Sequence, residues 1–326
     1  MKKIAVVAGG YSSEYPISVQ SGQMLAQEVA KAGYEVYLVE ISPQGWRVHL
    51  SSDEILPIDR SDFSFRHKGE AVRFDAVVMA IHGTPGEDGR LQGYFDLLNI
   101  PYTCCGVMAA AVTFNKHACK LLAQQVGVHT AESVLIRRNE TFDPRDIIQQ
   151  VGLPCFVKPT ESGSSFGVSK VTQEEQLTEA ITHAFTESSE VIIEKFISGT
   201  EVTCGMIALP EGDLIFPITE VVSKRDFFDY EAKYTAGLSE EITPARIEEK
   251  MAEQVREATR KLYHALGCKG ITRTDFILSD GKAYLLEVNT VPGMSPNSII
   301  PKQLKTMGIS VAEMYNRILQ NICTER

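Results

Sequence analysis

Four polar side chains interrupt apolar strand-like runs in TRTDFILSDGKAYLLEVNTVPG, residues 272–293: Arg273, Asp275, Glu287 and Asn289. Arg273 and Asp275 are two apart, as are Glu287 and Asn289, so each pair leaves one face of its strand. Two carboxylates and an amide oxygen, with a guanidinium beside them, suit a magnesium ion carrying phosphate groups. A surface salt-bridge cluster is the plainer alternative. The alternating Ile, Phe, Leu and Val positions argue against it. Whether the two pairs share a face depends on the turn around Asp280. A two-residue Asp280–Gly281 turn pairs 279 with 282 and sets Asp275 and Glu287 on opposite faces. A three-residue Ser279–Asp280–Gly281 loop pairs 278 with 282 and unites all four, with Gly281 left-handed. Absent a compensating bulge, the three-residue loop is expected.

Two lysines end apolar runs: Lys158 in LPCFVK and Lys195 in VIIEKFI. A lysine at a strand end is commonly where the chain meets water. Here one leads into the Gly/Ser stretch KPTESGSSFGVSK (158–170) and the other into FISGTE, which suits phosphate contacts. No GxxxxGK[ST] and no GxGxxG occurs, so neither a P-loop nor a dinucleotide fingerprint is available. Two further loops, AGGYSSE (8–14) and HGTPGEDG (82–89), follow strands and precede helices, where parallel sheets bind ligands. Glu14 suits an ammonium group and His82 a carboxylate. The aperiodic, aromatic and charged VSKRDFFDYEAKYTAGLSEE (222–241) reads as a lid.

The elements that must hold these residues follow from periodicity. Strand–helix alternation over 1–104 gives a parallel-sheet α/β domain, with 43–73 as a decorated edge. A helical stretch from about 107 opens a small α+β domain, 105–190, which carries the Gly/Ser flap. Residues 191–326 read as a larger antiparallel α+β domain in which EVTCGMIAL, DLIFPITEVV and the 272–289 hairpin are strands. The N-terminal run MKKIAVVAGG is too short for a signal peptide and reads as a buried strand. The formal net charge of -10 disfavours nucleic-acid and anionic-membrane partners. No segment has the length of a membrane span. Seven cysteines without CxxC spacing fit reduced core thiols in a cytoplasmic protein.

AGGYSSE, HGTPGEDG, the NK of TFNKHACK, VKPTESGSSFGVSK, IEKFISGTE, FDYEAKY, TRTDF and EVNTVPGMSPNSIIP occur in an order and spacing that resembles the D-alanine–D-alanine ligases of the ATP-grasp superfamily. The resemblance implies an ATP-grasp fold preceded by the α/β domain, and a homodimer. It implies ATP between the central and C-terminal domains, with Lys116 and Lys158 on its phosphates. The strand Glu194–Ile197, which includes Lys195, would meet adenine, and Glu201 the ribose. Asp275, Glu287 and Asn289 would bind two magnesium ions, for which manganese can substitute. Arg273 and the Gly293 N–H would stabilise an oxyanion. Glu14 would contact the first D-alanine's ammonium, His82 would assist there, and Ser298 would hold the second D-alanine's carboxylate. Glu14, Ser164 and Tyr234 would link the three domains, with Lys233 on the lid. Relatives that make D-alanyl-D-lactate commonly alter the lid tyrosine, so Tyr234 implies the dipeptide. The alternatives are the D-lactate ligase and a non-catalytic nucleotide or amino-acid sensor. The chain departs from the family at Glu161–Ser162, where relatives often carry a basic then an acidic residue.

Overall fold

The computed structural model describes residues 1–223 and 239–324; Lys233, Tyr234 and most of the expected lid lie outside the described residues. At the N-terminus, β1 (Lys3–Gly9) is an unbroken apolar run, and such a strand needs cover on both faces. Parallel partners flank it: β2 (Glu35–Ser42) on one side and β7 (Ala76–Met79) on the other. The helix α1 (Tyr15–Lys31) covers one face, where Leu25 and Val29 share a core with Ile4, Val6 and the C-terminal helix Val311–Thr324.

The 43–73 segment does more than decorate. Its strands β3 (Gly45–His49) and β4 (Ile55–Pro57) extend the sheet edge, giving the order β4-β3-β2-β1-β7. A hairpin, β5 (Phe65–His67) with β6 (Glu70–Val72), then folds back. Phe63, just before it, and Phe65, its first residue, are fully buried. With α2 (Arg90–Leu97) they roof the second face of the sheet. Phe63 meets Phe95 at 4.9 Å and Phe74 at 5.4 Å between ring centroids, in the tilted and edge-on geometries that aromatic quadrupoles favour.

One helical stretch was expected after residue 106, and there are two: α3 (Val107–Phe114) and α4 (Lys116–Gln125). The break is Asn115, which is extended and accepts a hydrogen bond from Ala118 N at 3.0 Å, capping α4. Both helices pack on the C-terminal sheet, with Ala109, Cys119 and Ala123 beside Val202, Phe276 and Leu285. The small unit's own core therefore starts later, with four antiparallel strands in the order β11-β10-β12-β9. These are β9 (Ser133–Arg137), β10 (Cys155–Pro159), β11 (Ser169–Val171) and β12 (Glu190–Lys195). The helices α5 (Pro144–Val151) and α6 (Leu177–Ala184) bury Cys155, Val157, Val191 and Ile193. By strand alternation Phe156, Lys158 and Glu194 take the opposite face, Phe156 paired directly with Glu194.

The largest sheet among the described residues has seven strands. These are β13 (Thr200–Leu209), β14 (Gly212–Ile215), β15 (Thr219–Ser223), β16 (Ser239–Ile242), β17 (Thr272–Ser279), β18 (Lys282–Asn289) and β8 (His129–Thr130). DLIFPITEVV, expected as one strand, is split into β14 and β15 around Pro217, which cannot donate to a ladder. Val202, Cys204, Phe276 and Leu285 bury one face against α3, α4 and the helix Glu249–Ala265. The other face carries Thr203, Arg273, Asp275, Glu287 and Asn289.

The hairpin turn corrects the expected three-residue loop. Ser279 pairs with Lys282, leaving a two-residue Asp280–Gly281 turn with φ of 48° and 71°. Those left-handed values are what a primed hairpin turn requires. A regular ladder from this turn would split Asp275 from Glu287. Instead the register shifts between Asp275 and Phe276, leaving Leu286 as an extra residue. This bulge restores Asp275 opposite Glu287 and Arg273 opposite Asn289. The expected shared face is present, by a different route.

The described cysteines are all free, and all but Cys323 are buried. No helix among the described residues is long and apolar enough to cross a membrane.

If the 43–73 segment is core, Phe63→Ala should lower the unfolding free energy by about 3–5 kcal/mol. Urea denaturation measures this; a loss below about 1 kcal/mol would reduce the segment to surface decoration.

Candidate active site

The face of the four-stranded sheet opposite α5 and α6 and the Asp275-bearing face of the seven-stranded sheet border a cavity of about 480 Å3, a size that suits a small-molecule ligand. Lys116, Lys158, Glu194, Lys195, Ile197, Glu201, Arg273, Asp275 and Glu287 all line it. Phe156, Phe196, Ile277 and Leu286 supply apolar wall. Asn289 opens on a smaller adjoining recess with Lys116, Gly163 and Glu287.

On the four-stranded wall, Glu194 is buried and gripped by two ammoniums. Lys158 Nζ donates to Oε2 at 2.6 Å, and Lys120 Nζ donates to Oε1. Burial alone would raise the carboxyl's pKa, but Lys158 and Lys120 outweigh it and hold it down to about 2. For Lys158, burial works against the charge, and Glu194 more than compensates, so its pKa is raised. For Lys120 burial prevails and its pKa is lowered.

On the opposite wall Asp275 is the hub. Arg273 donates to both its oxygens, at 2.9 and 2.7 Å, a bidentate fit. Thr203 Oγ1 donates at 2.5 Å and Asn289 Nδ2 at 3.1 Å. Asp275 and Glu287 are cross-strand neighbours, so two carboxylates and an amide project together. Among the described residues no three His, Cys, Asp or Glu side chains converge. A hard cation held here by Asp275, Glu287 and Asn289 would take further oxygens from outside the protein, which is how magnesium sits among substrate phosphates.

The flap reaches from this cavity to the N-terminal domain. Lys116 Nζ donates to Ser162 O at 2.6 Å, and Asn115 Nδ2 to Glu161 Oε1 at 3.1 Å. Glu161, the departure from the family pattern, thus ties the flap base to the α4 cap. Ser164 Oγ donates to Glu14 Oε1 at 2.5 Å, while Glu14 Oε2 is buried without a hydrogen-bond partner among the described residues. Of the two flap glycines only Gly167 (φ 71°) is left-handed, and the other left-handed flap residues are Ser164 (φ 48°) and Ser165 (φ 61°). Gly163 has another reason to be glycine. A Cβ there would lie 2.1 Å from Glu14 Oε2.

The two N-terminal loops are bonded to each other, with Tyr11 N donating to Thr84 O at 2.8 Å and Ser12 Oγ to His82 O at 3.0 Å. His82 is buried, which lowers its pKa and keeps the ring neutral. Its Nδ1 lies 2.9 Å from Val291 O, an acceptor only, so Nδ1 carries the proton and Nε2 accepts from Ser21 Oγ at 3.0 Å. Glu87 holds the same residue through its N–H, accepting from Val291 N at 3.2 Å, and also accepts from Gly83 N at 2.8 Å. Burial and the nearby Glu14 carboxylate push Glu87 up to about 8. Ser21 Oγ also accepts from Met294 N at 3.3 Å. Gly293 thus lies between two anchored residues and against Ser298, the N-cap of the helix Ile299–Thr306. Ser298 Oγ bonds Ser295 Oγ at 2.8 Å, where a helix N-terminus favours a carboxylate.

Glu14, His82, Ser164, Gly293 and Ser298 therefore gather around the N-terminal loops, outside the lining of the main cavity. Lys233 and Tyr234 are outside the described residues. Three residues escaped the sequence reading. Lys120 was signalled by a lysine on the buried face of an amphipathic helix, and Glu87 by an acid inside the already suspect HGTPGEDG. Thr203 is placed only by the strand order, which the sequence does not display.

A family model described as the D-ala D-ala ligase N-terminus matches residues 3–105, and one described as the D-ala D-ala ligase C-terminus matches 122–320. A D-alanine–D-alanine ligase of Bacteroides fragilis is 47% identical over 321 residues, covering 98% of this chain and 99% of that one. Among solved structures, D-alanyl-alanine synthetase A from Vibrio cholerae superposes with a TM-score of 0.89 at 30% identity, covering 99% and 98% of the two chains. A D-alanine–D-alanine ligase from Bacillus anthracis complexed with ATP superposes with a TM-score of 0.79 at 27% identity, covering 100% and 98%.

Glu194's pKa is depressed in the fold, so its stabilisation is complete above the ordinary carboxylate pKa and is lost as pH falls towards about 2. Between pH 5.0 and 3.5 the native chain should lose about 1 kcal/mol more stability than Glu194→Gln, read by urea denaturation. Parallel losses would mean that the carboxylate is not held by its lysines.

Proposed function

Because this chain belongs to the D-alanine–D-alanine ligase family, we propose that its cleft carries out the family's reaction with the residues assembled there. The activity is ATP-dependent ligation of D-alanine to D-alanine, which serves cell-wall synthesis. The carrying observation is the pairing of a lysine-bearing wall with a wall of Arg273, Asp275 and Glu287 around one cavity, with Asn289 on the recess that adjoins it.

In this reading Lys116 and Lys158 neutralise nucleotide phosphates, the strand Glu194–Ile197 receives the base, and Glu201 the ribose. Two magnesium ions at Asp275, Glu287 and Asn289 would supply charge neutralisation at the transferring phosphate. Glu14 holds the first D-alanine's ammonium with the oxygen that lacks a described partner. That substrate's carboxylate attacks the γ-phosphorus and ADP leaves. The second D-alanine is oriented by Ser298 through its carboxylate. Its amine, having lost a proton, attacks the acyl carbon, and phosphate departs. Arg273 and the Gly293 N–H stabilise the tetrahedral oxyanion. Catalysis is chiefly positioning and fixed charge. His82 acts here by holding the Val291 peptide and hence the approach to Gly293. The same reading includes a cytoplasmic homodimer, which light scattering tests.

Phosphate release should require ATP and D-alanine together and should be absent with L-alanine. With D-alanine and D-lactate competing near neutral pH, the dipeptide should dominate; mainly depsipeptide would reverse the second-substrate assignment. Arg273→Ala should lower kcat by about 10²–10³. An unchanged kcat would remove Arg273 from the oxyanion site.

A further inference from the structure

Lys120 has no place in the reaction just described, yet it is a lysine with a side chain only 3% exposed, ion-paired to a residue of the base-binding strand. It does not line the cavity. Lys158, which does, is 17% exposed and shares the same carboxylate. The two lysines take different oxygens of Glu194: Lys120 of α4, outside the cavity lining, takes Oε1, and Lys158, within it, takes Oε2. Lys158 can therefore leave without disturbing the other bond.

Charge arithmetic shows why the second lysine matters. Glu194 with both lysines sums to one positive charge; without Lys158 it sums to zero, still balanced. Without Lys120, the departure of Lys158 to a phosphate would strand a buried carboxylate, and an unpaired buried charge is strongly destabilising. We propose that Lys120 is the standing counter-ion of Glu194, a positioning residue that frees Lys158 to exchange the carboxylate for a nucleotide phosphate. This rests on the nucleotide reading of the cleft. On that basis Lys120 lowers the barrier to nucleotide capture without touching the nucleotide. Removing it leaves Lys158 locked on Glu194, in competition with ATP.

The test is steady-state kinetics on the full chain with Lys120→Met, Lys120→Arg, Glu194→Gln and the double variant Lys120→Met/Glu194→Gln. Lys120→Met should raise the KM for ATP by at least about tenfold. Its kcat at saturating ATP and its KM for D-alanine should stay within about twofold of the native values. Lys120→Arg, which keeps the charge, should stay near the native KM for ATP. On the Glu194→Gln background, where no anion needs a partner, Lys120→Met should change the KM for ATP by less than about twofold. An equal rise on both backgrounds, or a KM for ATP unmoved while only thermal stability falls, overturns the proposal. Should Lys120→Met not fold, Lys120→Gln in the same cycle reads the same coupling. Equilibrium dialysis of ATP separates the two levels. A native chain that binds no ATP sinks the nucleotide reading itself; a native chain and Lys120→Met that bind ATP equally sink only the role of Lys120.

Discussion

The register in which β17 meets β18 is the constraint on which the cleft depends. An antiparallel pair alternates its side chains between two environments that differ completely here. One face is packed against helices through Phe276, Leu285 and Val288, and the other carries ionised groups. A slip of one residue would exchange these environments, so the apolar core enforces the charge constellation as firmly as the charges themselves. The bulge at Leu286 shows the solution in detail. The tight Asp-Gly turn sets one register, the site demands another, and one extra residue reconciles them.

Much of this was legible in the sequence because it rests on local rules. The β1 run, the α1 helix and the alternation in CFVKP announce strands, helices and buried faces without tertiary information. The Arg273, Asp275, Glu287 and Asn289 spacing announced a site on similar grounds. The turn length was misjudged because both loops suit Asp and Gly, and a bulge has no composition of its own. The break at Asn115 was missed because its neighbours are good helix formers and only the capping geometry reveals it. The aromatic roof over the N-terminal sheet was also hidden, since Phe63, Phe65 and Phe74 find their partners only after distant segments converge. Lys120 illustrates a further limit. Its face on the helix is readable, but its partner Glu194 lies on another sheet, 74 residues away.

Electrostatics across the cleft follow one pattern, in which each buried charge is met by a neighbour from a different element. Glu194 of β12 is met by Lys120 of α4 and Lys158 of β10. Asp275 of β17 is met by Thr203 of β13 and Asn289 of β18 as well as by Arg273. Glu14 is met by Ser164 of the flap. The bonds of Glu194 and Glu14 fasten the four-stranded unit, whose apolar core is its own, to the rest of the chain. They are polar bonds rather than packing, so each partner keeps the capacity to bond another polar group.

The backbone of Val291 is held on both sides: its N–H by Glu87, its carbonyl by His82. Both holders belong to a loop of the N-terminal domain, whereas the peptide belongs to the segment leaving β18. That double grip welds the N-terminal domain to the seven-stranded sheet into one frame. The four-stranded sheet has its own core and is fastened to that frame through α4, where Lys116 N donates to Thr160 O at 3.0 Å and Lys120 pairs with Glu194. The frame therefore reaches the flap by two separate routes, through Lys116 of α4 at its base and through Glu14 at its tip.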